Sequence, residues 1–324
     1  MFDKKILIFG GTGPLGNALT DYYIDNNEII VYSRDECKQW EMKIRYHNNP
    51  KLSFHIGDIR DSHRVHDIIE KTRPNIIIIA SAIKHIDICE LSTHECIQTN
   101  LNGVKNILDC IDNNKRIFKE FLETVCFVST DKACSPVNIY GMSKAMSEVL
   151  MIEKAYYLKD FKFVCVRYGN VLNSRGSIIP FLHKLGQDNT VENFSLTHPD
   201  MTRFIMTLEQ SVNLINHAIN NCESGDIVVP KLEAMKIVDL LDIFSEIYNK
   251  PYVLTKLRPG EKLAEALINE TQSMRMIIDT DGYHIIKPNY SGIITNELPT
   301  EYNSNMGIIN KDELRDYLAN LKLI

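Results

Sequence analysis

The sequence predicts an α/β protein built on a Rossmann-type, doubly wound parallel sheet, with a smaller substrate-binding lobe toward the C-terminus. Three observations carry this. Short apolar runs alternate with amphipathic stretches through the first half of the 324 residues. The glycine-rich loop Gly10-Gly11-Thr12-Gly13-Pro14-Leu15-Gly16 directly follows the first run. After about Val171 the alternation gives way to helical stretches and loops rich in Pro and Gly. Strand and helix in alternation imply βαβ units with right-handed crossovers. The division this suggests is 1–170 for a dinucleotide-binding domain and 171–324 mainly for a substrate lobe, with some chain returning to the sheet.

The expected strands are Ile6 to Phe9, Ile29 to Tyr32, Ser53 to Ile56, Ile76 to Ile79, Val125 to Ser129 and Phe163 to Arg167. They are almost continuously apolar, as befits parallel strands buried on both faces. Helical patterns lie between them, as in Leu15 to Asn26 and Ser62 to Thr72, and later in Ser211 to Asn220 and Ile237 to Tyr248. There are no internal repeats, and the tail from about Asn289 carries the least signal.

Composition excludes several functions. A net charge of −6 and the lack of a basic run argue against nucleic acid as a partner. No apolar run approaches the roughly 20 residues that span a bilayer. The chain enters Lys4-Lys5-Ile6-Leu7 without a signal-like segment, which points to the cytoplasm. The eight cysteines form no CxxC pair and the ten histidines lack ligand spacing, so no metal site is expected.

Gly10, Gly13 and Gly16 stand between a strand and a helix. This spacing permits a tight turn and close approach of backbone to a pyrophosphate, with the helix N-terminus facing the anion. At the end of the second strand, Ser33 and Arg34 occupy the place where an NAD enzyme usually has an acid. Arg34 suits a forked contact with a 2′-phosphate, which favours NADP. Asp35 could still reach the ribose, so NAD stays open. Gly57-Asp58-Ile59 is placed either to meet the adenine or simply to turn the chain, with Asp61 capping the next helix.

Tyr140 and Lys144, four apart, share a helix face. A tyrosine titrates near 10, and a neighbouring ammonium together with a nicotinamide cation favours its phenolate. It could then take a hydroxyl proton as hydride leaves the same carbon. Asp131 and Lys132 follow the strand ending at Ser129, where parallel sheets bind ligands. An acid and an amine there suit an elimination. A 4-keto sugar has an acidic C5 proton, which an amine held neutral by burial or nearby positive charge can remove. The acid can protonate the departing C6 hydroxyl.

These segments carry a family resemblance from Lys5 to about Ile268. Further matches are Ser33 to Glu36, Gly57 to Asp61, Lys84-His85, Glu95 to Asn100, Arg167 to Val171, Ser174 to Ser177, Met201 to Phe204 and Arg258 to Lys262. The chain resembles the extended short-chain dehydrogenase/reductases, and within them the inverting UDP-GlcNAc 4,6-dehydratases. Asp131-Lys132 discriminates. Retaining dehydratases of activated glucose typically carry Asp-Glu there, and hexose 4-epimerases carry small residues. Membrane-anchored retaining relatives usually have Met in place of Tyr140. The 112–123 stretch is longer and more charged than the family's usual connection. Ile86-Asp87-Ile88 lacks the family's proline.

The resemblance implies oxidation of the sugar at C4, loss of water across C5–C6, return of hydride to C6 and C5 inversion. The product would be UDP-2-acetamido-2,6-dideoxy-β-L-arabino-hexos-4-ulose, made for glycan biosynthesis. Asp131, Lys132 and Tyr140 match the catalytic trio, and Lys144 the cofactor lysine. The cofactor-facing set it implies is Gly10, Thr12, Gly13, Pro14, Leu15, Gly16, Ser33, Arg34, Asp58, Ile59, Ala80, Ser81, Lys84, Ser129, Tyr140, Lys144, Tyr168 and Asn170. Lys84, Asn170, Arg203, Arg258 and Glu261 match sugar-facing positions. For the two arginines a surface salt bridge is the plainer alternative. A homo-oligomer, dimer or hexamer, is also implied. The competing readings are a retaining dehydratase or 4-epimerase on the same scaffold, and an NADP-sensing regulator without turnover.

Overall fold

The computed structural model describes residues 1–173, 176–295 and 299–324; Ser174 and Arg175 of the matched run lie outside them. The first half runs β1 (Lys5–Phe9), α1 (Pro14–Tyr23), β2 (Glu28–Ser33), α2 (Glu36–Arg45), β3 (Leu52–Ile56), α3 (Ser62–Thr72) and β4 (Ile76–Ile79). It continues with α4 (Ile86–Leu91), α5 (Thr93–Ile97), α6 (Gly103–Asn113), α7 (Lys115–Phe118), β5 (Thr124–Val128), α8 (Ile139–Tyr157) and β6 (Lys162–Val166). Then come β7 (Asn170–Val171), α9 (Ile178–Gln187), β8 (Phe194–Leu196), β9 (Thr202–Met206), α10 (Leu208–Asn221) and β10 (Ile227–Val229). The remainder is β11 (Glu233–Lys236), α11 (Ile237–Tyr248), β12 (Tyr252–Leu254), β13 (Ala266–Ile268), α12 (Glu270–Ser273), β14 (Met276–Ile278), β15 (His284–Ile286), β16 (Tyr302–Asn303) and α13 (Lys311–Asn320).

One sheet has the order β14-β15-β10-β6-β5-β4-β1-β2-β3. From β3 to β10 all neighbours are parallel; β15 and β14 close the edge antiparallel. Ile6, Leu7, Ile8 and Phe9 are fully buried, as are Ile77, Ile78 and Ile79, which is why these strands read as continuous apolar runs. Strand order reverses between β1 and β4. Their carboxyl ends splay into the crevice where such sheets bind ligands.

Three elements of the C-terminal half return to this sheet: β10 pairs with β6, β15 with β10 and β14 with β15. A second core, with Leu172, Leu182, Phe194, Leu240, Phe244 and Leu314 at its centre, forms apart from the first. The charged 112–123 stretch is anchored by Phe118, Phe121 and Leu122, which sink into the main core, while Asp112 pairs with Lys154 at 2.8 Å.

Candidate active site

The glycine loop sits at the topological switch point. Gly10 has φ +84°, and a Cβ there would lie 2.7 Å from the Ser81 amide nitrogen on the loop after β4. A Cβ on Gly16 would lie 2.2 Å from the Gly11 carbonyl oxygen, so this glycine lets α1 press onto β1. The N-cap of α1 is Gly13, which brings no capping side chain, and Pro14 opens the first turn. The helix therefore presents bare backbone N–H groups to the space beyond it.

That space is a cleft of ≈ 970 Å³, and every residue assigned to the cofactor lines it, from Gly10 to Asn170. Of the sugar-facing set, Lys84 and Asn170 line it as well. Arg203, Arg258 and Glu261 are not among its lining residues. Arg258 donates to Glu261 at 2.9 Å and is 74% exposed. Arg203 is buried, donates to the Thr202 and Leu263 carbonyls, and lies 3.9 Å from Glu261. Burial lowers the Lys84 ammonium. The hydroxyls of Ser81, Thr99, Ser129 and Ser177 are buried along the cleft without a partner among the described residues. Such orphaned hydroxyls, with the glycine cradle, fit a large polar ligand like a dinucleotide.

At the ribose end, Asp35 caps α2: it accepts from the Lys38 amide at 3.0 Å, and its other oxygen pairs with Lys38 Nζ at 2.5 Å. These bonds to Lys38 hold the Asp35 carboxyl below its usual range. Ser33 Oγ accepts from Gln39, and Arg34 lies 3.6 Å from Asp58. Asp61 caps α3 through the His63 and Arg64 amides, as the turn reading expects, while Asp58 and Ile59 line the cleft.

Farther along the cleft, β5 runs into a 3₁₀ turn, Asp131–Ala133, and Asn138 caps α8. A Cβ on Gly141 would lie 2.1 Å from the Lys132 carbonyl oxygen, so only glycine lets α8 press Tyr140 onto this turn. Asp131 is 1% exposed. Its Oδ1 accepts from Thr130 Oγ1 at 2.8 Å and from Lys132 Nζ at 3.0 Å, and Oδ2 has no partner among the described residues. Lys132 Nζ also donates to Asn170 Oδ1 at 3.3 Å and lies 3.8 Å from Glu265 Oε1. The wide π-type turn at Gln98–Asn102 places Asn100, which bonds both the Ile83 backbone and Ser143 on α8. Sequence reading missed Glu265, Thr130 and Asn100; Glu95 to Asn100 matched the family only as a segment.

Two electrostatic expectations are corrected. Lys132 is not held neutral: burial opposes its charge, but Asp131 and Glu265 outweigh it and raise the ammonium above its ordinary value. Tyr140 is not tuned toward its phenolate by the protein alone. Burial pushes it up to about 12, against the opposing pull of Lys132 and a hydrogen bond with Thr130. Lys144 does come down, to about 8, chiefly through burial; its Nζ lies 4.2 Å from the centre of the Phe127 ring.

The Lys144 shift has a sign that stability can test. Its unfolded value is 10.5, so between pH about 8 and 10.5 the unfolded chain binds more protons and stability rises with pH. Below about 8 the cost of the buried ammonium is present in full. In nucleotide-free protein, Lys144→Met should therefore melt a few degrees above wild type at pH 7, a gap that narrows across that window. Turnover should fall by at least about 10²-fold. Thermal melts across pH check the first, and product formation the second.

A model of the polysaccharide biosynthesis protein family matches residues 6–287. The chain belongs to this family. Among its relatives, a Campylobacter jejuni protein named UDP-N-acetylglucosamine 4,6-dehydratase (inverting) is 37% identical over 295 residues, 89% of this chain and 84% of that protein. A Rickettsia felis protein named UDP-glucose 4-epimerase is 36% identical over 344 residues, 99% of this chain and 97% of that one. Among solved structures, Pen from Bacillus thuringiensis superposes with a TM-score of 0.90 at 28% identity, covering 100% of this chain and 99% of its own. DesIV, a dTDP-glucose 4,6-dehydratase from Streptomyces venezuelae, superposes at 0.68 with 17% identity over 80% and 86%, a likeness of fold alone. The family membership bears out the resemblance read from the motifs, and these neighbours bear out the Rossmann-type fold.

Proposed function

We infer that this family member is an inverting UDP-GlcNAc 4,6-dehydratase. The carrying observation is the buried Asp131–Lys132 pair, 3.0 Å apart, against the Tyr140 helix at the cleft wall. A 4-epimerase, the name borne by the Rickettsia relatives, needs only the tyrosine and lysine of α8 and a sugar free to turn. It has no use for an acid and an amine buried together. A regulator without turnover has no use for either pair.

The chain's residues divide the chemistry. Tyr140 takes the C4 hydroxyl proton. Lys132 Nζ takes the C5 proton. Asp131 gives a proton through Oδ2 to the C6 oxygen as the C6–O bond breaks, so that water leaves. A proton then reaches C5 on the opposite face. A nicotinamide held in this cleft would supply the hydride acceptor and donor that the chemistry at C4 and C6 requires. Lys144 anchors the cofactor ribose, and the hydroxyls of Ser81 and Ser129 are placed to bond polar groups beside it. Arg203 and Arg258 serve the diphosphate end, where guanidinium pairs with phosphate bidentately.

The cofactor we propose is NADP. Its support is the engagement of Asp35 in a helix cap and an ion pair, which leaves Arg34, Lys38 and Ser33 at the second strand's end. Arg34→Ala should weaken NADP by about tenfold or more and NAD far less, measured by equilibrium titration of both. Equal losses would remove Arg34 from the 2′-phosphate. We further propose a homo-oligomer. Met142, Met146, Val149 and Tyr156 expose an apolar stripe along α8, which suits pairing of copies. All eight cysteines are free thiols, which suits work in the cytoplasm. Residues 1–170 hold the cofactor and 171–324 mainly cover the sugar.

A further inference from the structure

A base cannot act while it carries its proton, and Lys132 sits between two buried carboxyls. Asp131 is one. The other is Glu265, 133 positions away in sequence, on the segment leading into β13. Glu265 is 3% exposed, its Oε1 lies 3.8 Å from Lys132 Nζ, and its Oε2 has no partner among the described residues. Its backbone is pinned on both sides by Ser304, whose Oγ accepts from the Glu265 amide at 3.0 Å and whose amide donates to the Glu265 carbonyl at 2.8 Å. A buried carboxyl with a free oxygen, aimed at a catalytic amine, is costly to stability without a task.

We propose that Glu265 is the positioning residue that takes the ammonium proton from Lys132, releasing the neutral amine for C5. This rests on the dehydratase function inferred above. The step moves one proton: a Lys132 Nζ–H bond breaks, a Glu265 Oε1–H bond forms, and the electron pair stays on nitrogen.

Burial raises the Glu265 carboxyl, as does Asp131, while Lys132, Arg203 and Lys262 pull it down; the net is upward. A carboxyl raised in this way is a ready acceptor. Those four residues are the charged groups that act on it most strongly among the described residues. Lys262 is held off by the Cys134 and Ser135 carbonyls, and Arg203 by Thr202 and Leu263.

The test separates oxidation at C4 from elimination. Holoenzyme is mixed with UDP-GlcNAc in a single turnover, following reduced-nicotinamide absorbance and the 6-deoxy methyl product together. In Glu265→Gln, oxidation should persist while elimination slows by about 10²-fold, so reduced nicotinamide accumulates. Glu265→Asp should recover part of the rate. The sign is decisive, because Glu265 acting only as a negative charge would, on removal, free the amine and speed elimination. Wild-type or faster elimination in Glu265→Gln overturns the proposal, as does equal loss of oxidation and elimination. Should Glu265→Gln not fold, Glu265→Asp decides alone: partly slowed elimination with C4 oxidation intact supports the role, and a wild-type rate overturns it. A wild type that makes no methyl product would instead bring down the dehydratase function, and this inference with it.

Discussion

Lys132→Ala should stop elimination while leaving the cofactor bound. General acid–base groups typically contribute about 10² to 10⁴ in rate, and Lys144, the amine on α8, lies over the Phe127 ring at 4.2 Å. The variant should still oxidise C4, because Tyr140 and Lys144 lie on α8 and do not depend on the Lys132 side chain for position; Gly141 packs on its backbone carbonyl. With elimination blocked, C5 should cease to exchange with solvent deuterium. Normal product formation by this variant would remove Lys132 from the base role. Lys132→Ala also leaves Asp131 Oδ1 with Thr130 as its remaining partner at 2.8 Å, so a loss of stability should accompany the loss of rate.

The second large effect is on the fold. Arg167→Met should destabilise by about 3 to 5 kcal/mol. Arg167 is 1% exposed and bonds Glu148 through Nε at 3.0 Å and Nη2 at 2.5 Å. Its Nη1 donates to the Leu267 carbonyl and to Gln272, each at 2.8 Å. One side chain thus ties β6 and α8 to β13 and the start of α12. Removing it strands a buried carboxylate and a buried carbonyl. Denaturant unfolding measures the loss. Arg167→Met combined with Glu148→Met should recover part of it, since the double change leaves no uncompensated charge. Full additivity of the two would show that the pair is not coupled. Because β13 begins one residue after Glu265, Arg167→Met should also slow elimination more than C4 oxidation.

The centre of the sheet was legible because β1, β4, β5 and β6 are buried on both faces, whereas β3 at the edge is half-exposed. Runs such as Ile76 to Ile79 carry no other signal, and they emerge within a residue or two of the observed bounds. The cofactor loop was legible because its glycines are demanded locally, by a positive φ at Gly10 and by close approach at Gly16. Less legible were β14 and β15, three residues each, whose place at the sheet edge comes from pairing with distant β10. Asp35 looked free to reach a ribose; that it caps α2 depends on backbone geometry.

At the chemical centre, residue identities could be read and charge states could not. Asp131-Lys132 and Tyr140 are contiguous motifs. Whether Lys132 is neutral depends on Glu265, brought to it by β13 and Ser304, and no local pattern announces that contact. The same holds for Tyr140, whose burial beside Asp131 sets its resting proton.

The central claim is that this cleft oxidises, dehydrates and inverts one sugar. The most direct measurement is proton NMR of the purified protein with UDP-GlcNAc in deuterated water. The expected result is a new 6-deoxy methyl signal, deuterium at C5, and the couplings of an L-arabino 4-keto sugar. A methyl signal with D-xylo couplings would contradict inversion. Conversion to the 4-epimer with no methyl signal would contradict the dehydratase function, together with the roles given to Asp131, Lys132 and Glu265.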